Sequence, residues 1–141
     1  MNTAEKTKIT VKTTVHAPLA KVWEYWTSPA HIQKWNQASE DWETTKASNN
    51  LVVGGSFSST MAAKDGSMSF DFNGSYTQVD TNKFIAYTIA DGRTVTVSFT
   101  QKAESVEIIE IFEAENVNSI EMQQAGWQAI LDNFKKYTEA N

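Results

Sequence analysis

Apolar and polar residues alternate at the head of the chain. Ile9, Val11, Thr13 and Val15 interleave with Lys8, Thr10, Lys12 and Thr14, the pattern of a half-buried strand. The period changes after His16-Ala17-Pro18, with Pro18 suited to the first position of a helix. Leu19, Val22, Trp23 and Trp26 then share one helical face. Ser28 as cap and Pro29 at the first position start a second short helix, with Ile32 and Trp35 on one side. From about residue 40 to 115 the period returns to two. Six strands are predicted, over about 40–47, 51–62, 67–79, 83–90, 94–101 and 105–114. Turn signals separate them at Ser48-Asn49-Asn50, Lys64-Asp65-Gly66, Asp80-Thr81-Asn82, Asp91-Gly92 and Ala103-Glu104, and gaps this short make antiparallel hairpins. The clearest alternation puts Met68, Phe70, Phe72, Gly74 and Tyr76 on one face. Val53, Gly55, Phe57, Ser59 and Met61 continue that face, as do Val95, Val97 and Phe99.

The last stretch, Asn118 to Tyr137, is helical in spacing, with an apolar stripe at Ile120, Trp127, Ile130, Leu131, Phe134 and Tyr137. Asn118 with Glu121 suggests a capping box, and Lys135 and Lys136 suit the negative end of the helix dipole. About twenty residues at a 1.5 Å rise span roughly 30 Å. The order is therefore strand, two short helices, six strands, long helix. The predicted fold is α+β: a strongly curved seven-stranded antiparallel sheet gripping the C-terminal helix. Residues 8–141 form one domain after a loose tail at 1–7.

Composition narrows the function. The 141 residues suit one core. A net charge of −5 argues against nucleic acid or an anionic membrane as partner. No cysteine is present, so disulfides and thiolate chemistry are excluded. The polar start, MNTAEKTK, has no apolar segment of a signal peptide, and no run approaches the roughly 18 apolar residues of a membrane helix. A cytoplasmic location is expected.

Few residues point to chemistry. Gly54-Gly55 lies in a predicted strand and reads as a bend or bulge rather than a phosphate loop. His16 and His31 sit on different elements with no carboxylate at metal-ligand spacing, so neither a metal nor another cofactor is expected. His31 is expected at the surface, with the cavity mouth as the alternative. No G-x-S-x-G is present. Glu110 is the notable ionisable residue. In one strand phase it shares a face with Val106, Ile108 and Phe112, and a lone carboxyl there would have a raised pKa. In the alternatives it pairs with Arg93 or a nearby amide, or faces water. Gln123 falls inside the apolar arc of the last helix, with Met122, Gly126 and Ala129 beside it. Small residues there let the sheet approach closely or leave room for a ligand. Trp23, Trp26 and Trp127 are assigned to the core, while Trp35 and Trp42 flank the short helices.

The segments APLAKVWEYWTSPAHIQKW, VGGSF, MAAKDGSMSFDFNGSYTQVD, KFIAYTIADGRTV, IFEAEN and MQQAGWQAILDNFKKY resemble, in this order, the START-like or SRPBCC helix-grip superfamily. Within it they are most similar to the activator of heat-shock chaperone ATPase, carboxy-terminal-domain-like family. The resemblance implies an internal cavity between the sheet, the N-terminal half of the last helix and the short helices, binding a small, mostly apolar molecule. Candidate lining residues are Trp35, Phe57, Met61, Met68, Phe70, Tyr76, Tyr87, Glu110, Met122, Gln123 and Gly126. Members also include polyketide cyclases or dehydratases, for which Glu110 would be the acid or base, and co-chaperone-like interaction modules. Homodimerisation and a chaperone interaction are further expectations.

Overall fold

The alternation at the head of the chain becomes strand β1 (Lys8–Val15), with Ile9, Val11 and Val15 buried. In this computed structural model residues 7–141 are described; residues 1–6 of the expected tail lie outside them. Thr7 is already tied in, its carbonyl accepting the Ala114 N–H at 2.8 Å. Helices α1 (Leu19–Thr27) and α2 (Pro29–Trp35) follow. Pro18 stands one position before α1, while Pro29 opens α2.

Six strands come next: β2 (Trp42–Asn49), β3 (Ser56–Ala63), β4 (Ser69–Asp80), β5 (Phe84–Ile89), β6 (Thr94–Gln101) and β7 (Val106–Glu113). Helix α3 (Ile120–Ala140) ends the chain. The strands form one seven-stranded antiparallel sheet in the order β1-β7-β6-β5-β4-β3-β2. Neighbours in sequence lie side by side except β1, which pairs with β7 at the far end of the meander. Register shifts at Thr44/Lys46 and Tyr76/Gln78 mark the irregularities that let such a sheet curl.

The structure moves several local expectations. Strand β3 begins at Ser56, not at 51. Gly54-Gly55 belongs to the turn ahead of it, where Gly54 has φ +84°. The pair still contacts the sheet: the Gly54 N–H donates to the Tyr76 carbonyl and the Gly55 carbonyl accepts from the Tyr76 N–H, both at 2.9 Å. A Cβ at Gly55 would lie 2.2 Å from the Asn50 carbonyl oxygen, so only glycine fits. Val53, assigned to the inner face, is 66% exposed in that turn.

The cap of α3 is Ser119, whose Oγ accepts from the Met122 N–H. Asn118 instead joins the preceding loop, its N–H donating to the Glu115 carboxylate at 2.7 Å. Because α3 continues to Ala140, Lys135 lies short of the helix end. Its ammonium donates to the Thr14 carbonyl at 2.7 Å and to Glu139.

Lys135 is part of a seam. β1 is an edge strand, with backbone groups that no further strand satisfies. From α3, Gln124 donates to the Thr10 carbonyl, and Gln128 both accepts from the Lys12 N–H and donates to the Lys12 carbonyl. Glu139 accepts the His16 N–H at 2.8 Å. The inner side of α3 buries Leu131, Phe134 and Thr138 in its C-terminal half, against a core that includes Val11, Val15, Val22, Phe99 and Val106. Trp127 stacks on Phe112 of β7, ring centroids 3.9 Å apart and planes 9° apart.

Candidate pocket between the sheet and the last helix

The N-terminal half of α3 does not close on the sheet. A pocket of about 350 Å³ opens there, beneath α1 and α2 and over the inner faces of β3, β4, β5 and β7. Its walls follow from strand alternation. β3 contributes Phe57, Ser59 and Met61; β4 contributes Phe70, Phe72 and Tyr76; β5 contributes Ile85 and Tyr87; β7 contributes Glu110. Trp26, Ile32 and Trp35 enter from α1 and α2, and Met122, Gln123, Gly126, Trp127 and Ile130 from α3.

Of the residues expected at the cavity, Trp35, Phe57, Met61, Phe70, Tyr76, Tyr87, Glu110, Met122, Gln123 and Gly126 all line it. Met68 does not. It lies before β4 in the hairpin turn, where its carbonyl accepts the Ala63 N–H, and its side chain is 60% exposed. Phe70 and Met122 line the pocket while largely exposed, at 48% and 64%, and so form an apolar rim. Trp35 is buried, with its indole N–H donating to the Tyr25 carbonyl at 2.8 Å.

Sequence reasoning placed Trp26 and Trp127 in the core, yet both are pocket walls as well as packing partners. It missed Phe72, Ile85, Asn49 and Arg93. Phe72 and Ile85 carried a usable signal, since they share strand faces with Tyr76 and Tyr87. Asn49 is a β2 residue in a stretch that reads only as a turn. His31 is at the surface but half-buried: it is stacked on Tyr25 with centroids 3.8 Å apart, Nδ1 2.7 Å from the Tyr137 hydroxyl.

The polar groups of the pocket divide by whether they already have partners. The Tyr76 hydroxyl donates to Asn49 Oδ1, and Asn49 Nδ2 donates to the Thr27 carbonyl; burial pushes the Tyr76 phenol up to about 12. Gln123 is fully engaged. Its Oε1 accepts from the Glu115 N–H, and its Nε2 donates to the Glu115 and Asn118 carbonyls. The expected polar ligand group is thus a clamp on the loop between β7 and α3. Arg93 pairs with Asp91 at 2.8 Å and donates to the Glu113 carbonyl.

Glu110 is different. The buried side of β7 is Val106, Ile108, Glu110 and Phe112, so the inward phase is the observed one. Its neighbours across the ladder are Val11 of β1 and Val97 of β6, which offer no donor side chain. The pairing with Arg93 does not occur. Among the described residues nothing donates a hydrogen bond to the Glu110 carboxyl, and burial alone raises its pKa from 4.5 to about 8. Tyr87, on the same inner face, has its phenol pushed well up, first by burial and then by the Glu110 charge.

Among the described residues no group of three or more His, Asp or Glu side chains could hold a metal ion. Nor is any helix among them long and apolar enough to cross a membrane.

The family model described as Activator of Hsp90 ATPase homolog 1-like protein matches residues 16–139. A protein from Cytophaga hutchinsonii, solved in solution, is 57% identical, with a TM-score of 0.82 over 95% of this chain and 93% of that one. The AHSA1-like protein from Aeromonas hydrophila is 44% identical, with a TM-score of 0.90 over the same shares. A Nitrosomonas europaea protein is 15% identical at a TM-score of 0.81, covering 94% of both chains; that likeness is one of fold alone. No curated protein matches this chain.

Proposed function

We propose, for a chain that belongs to the activator of Hsp90 ATPase homolog 1-like family, that the pocket binds a small, mostly apolar molecule. The observation that carries this reading is the unfilled space of about 350 Å³ walled by aromatic rings, within the range typical of small-molecule sites. Gly126 supports it. A Cβ there would meet nothing within 4 Å, so close packing against the sheet does not account for the glycine. Native mass spectrometry of freshly purified protein, followed by amide-shift titration with aromatic probes, tests the reading. Shifts centred on Phe57, Tyr87 and Trp127 are expected. Shifts scattered over the surface, or none with any probe, would sink it.

The unpartnered Glu110 carboxyl favours a second reading, an acid–base enzyme of the cyclase or dehydratase type. A carboxyl that titrates near 8 is largely protonated at neutral pH and can donate a proton to a substrate. Turnover that survives Glu110→Gln would remove Glu110 from that role.

A further inference from the structure

We propose that the pocket selects a protonated amine, whose ammonium group pairs with the Glu110 carboxylate while its apolar body lies against the aromatic walls. This rests on the reading of the pocket as a ligand site and adds the class of ligand.

Three observations carry it. Glu110 is 6% exposed and lines the pocket, and among the described residues its carboxyl receives no hydrogen bond. A buried carboxyl is normally hydrogen-bonded or paired, so the missing donor is one that a ligand can bring. Among the described residues the lining also carries two acidic side chains, Glu110 and Glu115, against a single cation. Arg93 is the one cation in the lining among the described residues, and its guanidinium is held by Asp91 and the Glu113 carbonyl. Glu115, the other acidic lining residue, is occupied by the N–H groups of Val117 and Asn118. Finally, the walls are rich in aromatic rings, among them Trp26, Trp35, Phe57 and Trp127, and an aromatic ring attracts a cation placed over its face.

The titratable or charged groups facing Glu110 across the pocket are Tyr87 from β5, Tyr76 from β4, Arg93 from the turn after β5, and Glu115 from the loop before α3. β1 and β6 contribute no lining side chain, and those from β2, β3 and the helices carry no charge. Burial keeps the empty pocket's Glu110 protonated below about pH 8. Binding at neutral pH is then an exchange. The ammonium enters, the carboxyl loses its proton to solvent, and one ion pair remains. Affinity for an amine rises with pH, about tenfold from pH 6 to pH 7. A neutral acceptor would show the opposite trend, because it needs the protonated carboxyl as donor.

Calorimetric titration of the full chain with naphthylmethylamine, naphthylmethanol and naphthoate separates the cases, since the three share one apolar body. The amine is expected to bind more tightly than the alcohol, to strengthen as pH rises from 6 to 8, and to release a proton, read from heats in two buffers of different ionisation enthalpy. Glu110→Gln should remove the amine's advantage over the alcohol and abolish the proton release on amine binding. Alcohol binding that matches or exceeds the amine's, or amine binding without proton release, overturns this proposal while leaving the pocket reading intact. Naphthoate binding most tightly overturns it in favour of an anion site. If none of the three binds, the pocket reading falls and this proposal with it.

Discussion

Gln123 holds Glu115 by both backbone groups. The amide oxygen accepts the Glu115 N–H at 2.9 Å, and the amide nitrogen donates to the Glu115 carbonyl at 3.1 Å. A third bond, to the Asn118 carbonyl at 2.9 Å, completes the clamp where β7 hands over to α3. Gln123→Ala leaves these backbone groups without partners at a half-buried place. It should cost about 2 kcal/mol, read by urea unfolding, and should speed hydrogen exchange at the Glu115 amide. Unchanged exchange there would mean that the clamp contributes nothing.

Glu110 sets a pH dependence of stability. Its folded pKa, about 8, lies above the ordinary 4.5. Between those values the unfolded chain has lost the proton that the folded chain keeps, so stability falls as pH rises through that window and levels off above about 8. The full cost is on the order of 5 kcal/mol. Glu110→Gln removes it. The variant should gain on the parent steadily from pH 5 to pH 8 in denaturant titrations, and parallel curves over that range would contradict the burial of an unpaired carboxyl.

Gly126 separates pocket volume from stability. It sits inside α3 with open space where a Cβ would point. Gly126→Ala should therefore stabilise the protein by about 1 kcal/mol through helix propensity alone. Gly126→Leu projects a larger group into the same space. It should keep the thermal midpoint of the parent while weakening any pocket ligand tenfold or more, measured by the same calorimetry. A large loss of stability in the alanine variant would show that the space is not open.

The seam between α3 and β1 is testable by removing its amides. Gln124→Ala with Gln128→Ala strips the bonds at the Thr10 carbonyl and at both backbone groups of Lys12. Stability should drop by about 1–2 kcal/mol. The Lys12 amide should exchange faster, and sedimentation should report self-association at high concentration as the bared edge finds other strands. A variant that stays monomeric with a protected Lys12 amide would show that the edge needs no cover.

The sheet was legible because alternation survives wherever one face is buried, as at Val95, Val97 and Phe99, all at 5% exposure or less. Boundaries failed where turn chemistry overlaps strand composition. Leu51 to Gly55 looks extended in sequence, yet Gly54 adopts a positive φ and turns the chain. The pocket's apolar walls could be read from the same alternation. Its polar inventory could not. Whether Gln123 and Glu110 are free depends on residues outside their own elements: Gln123 is consumed by the loop before its helix, while Glu110 is flanked by valines of two other strands. Helical and strand periods locate a side chain on a face and carry no record of what it bonds.

The seam also sets an order of events during synthesis. Strand β1 is made before every element that holds it. Its ladder partner is β7, and the α3 groups on its other side are 116 residues away at Lys12 and 123 at His16. A chain leaving the ribosome can zip β2 to β7 hairpin by hairpin while the N-terminal strand waits. That strand joins only after Glu113 has emerged, and its outer edge is covered only once α3 has left the exit tunnel. Of the seven strands β1 is translated first and secured last, and a ribosome stalled with β7 still inside its tunnel would display an amphipathic strand with no partner.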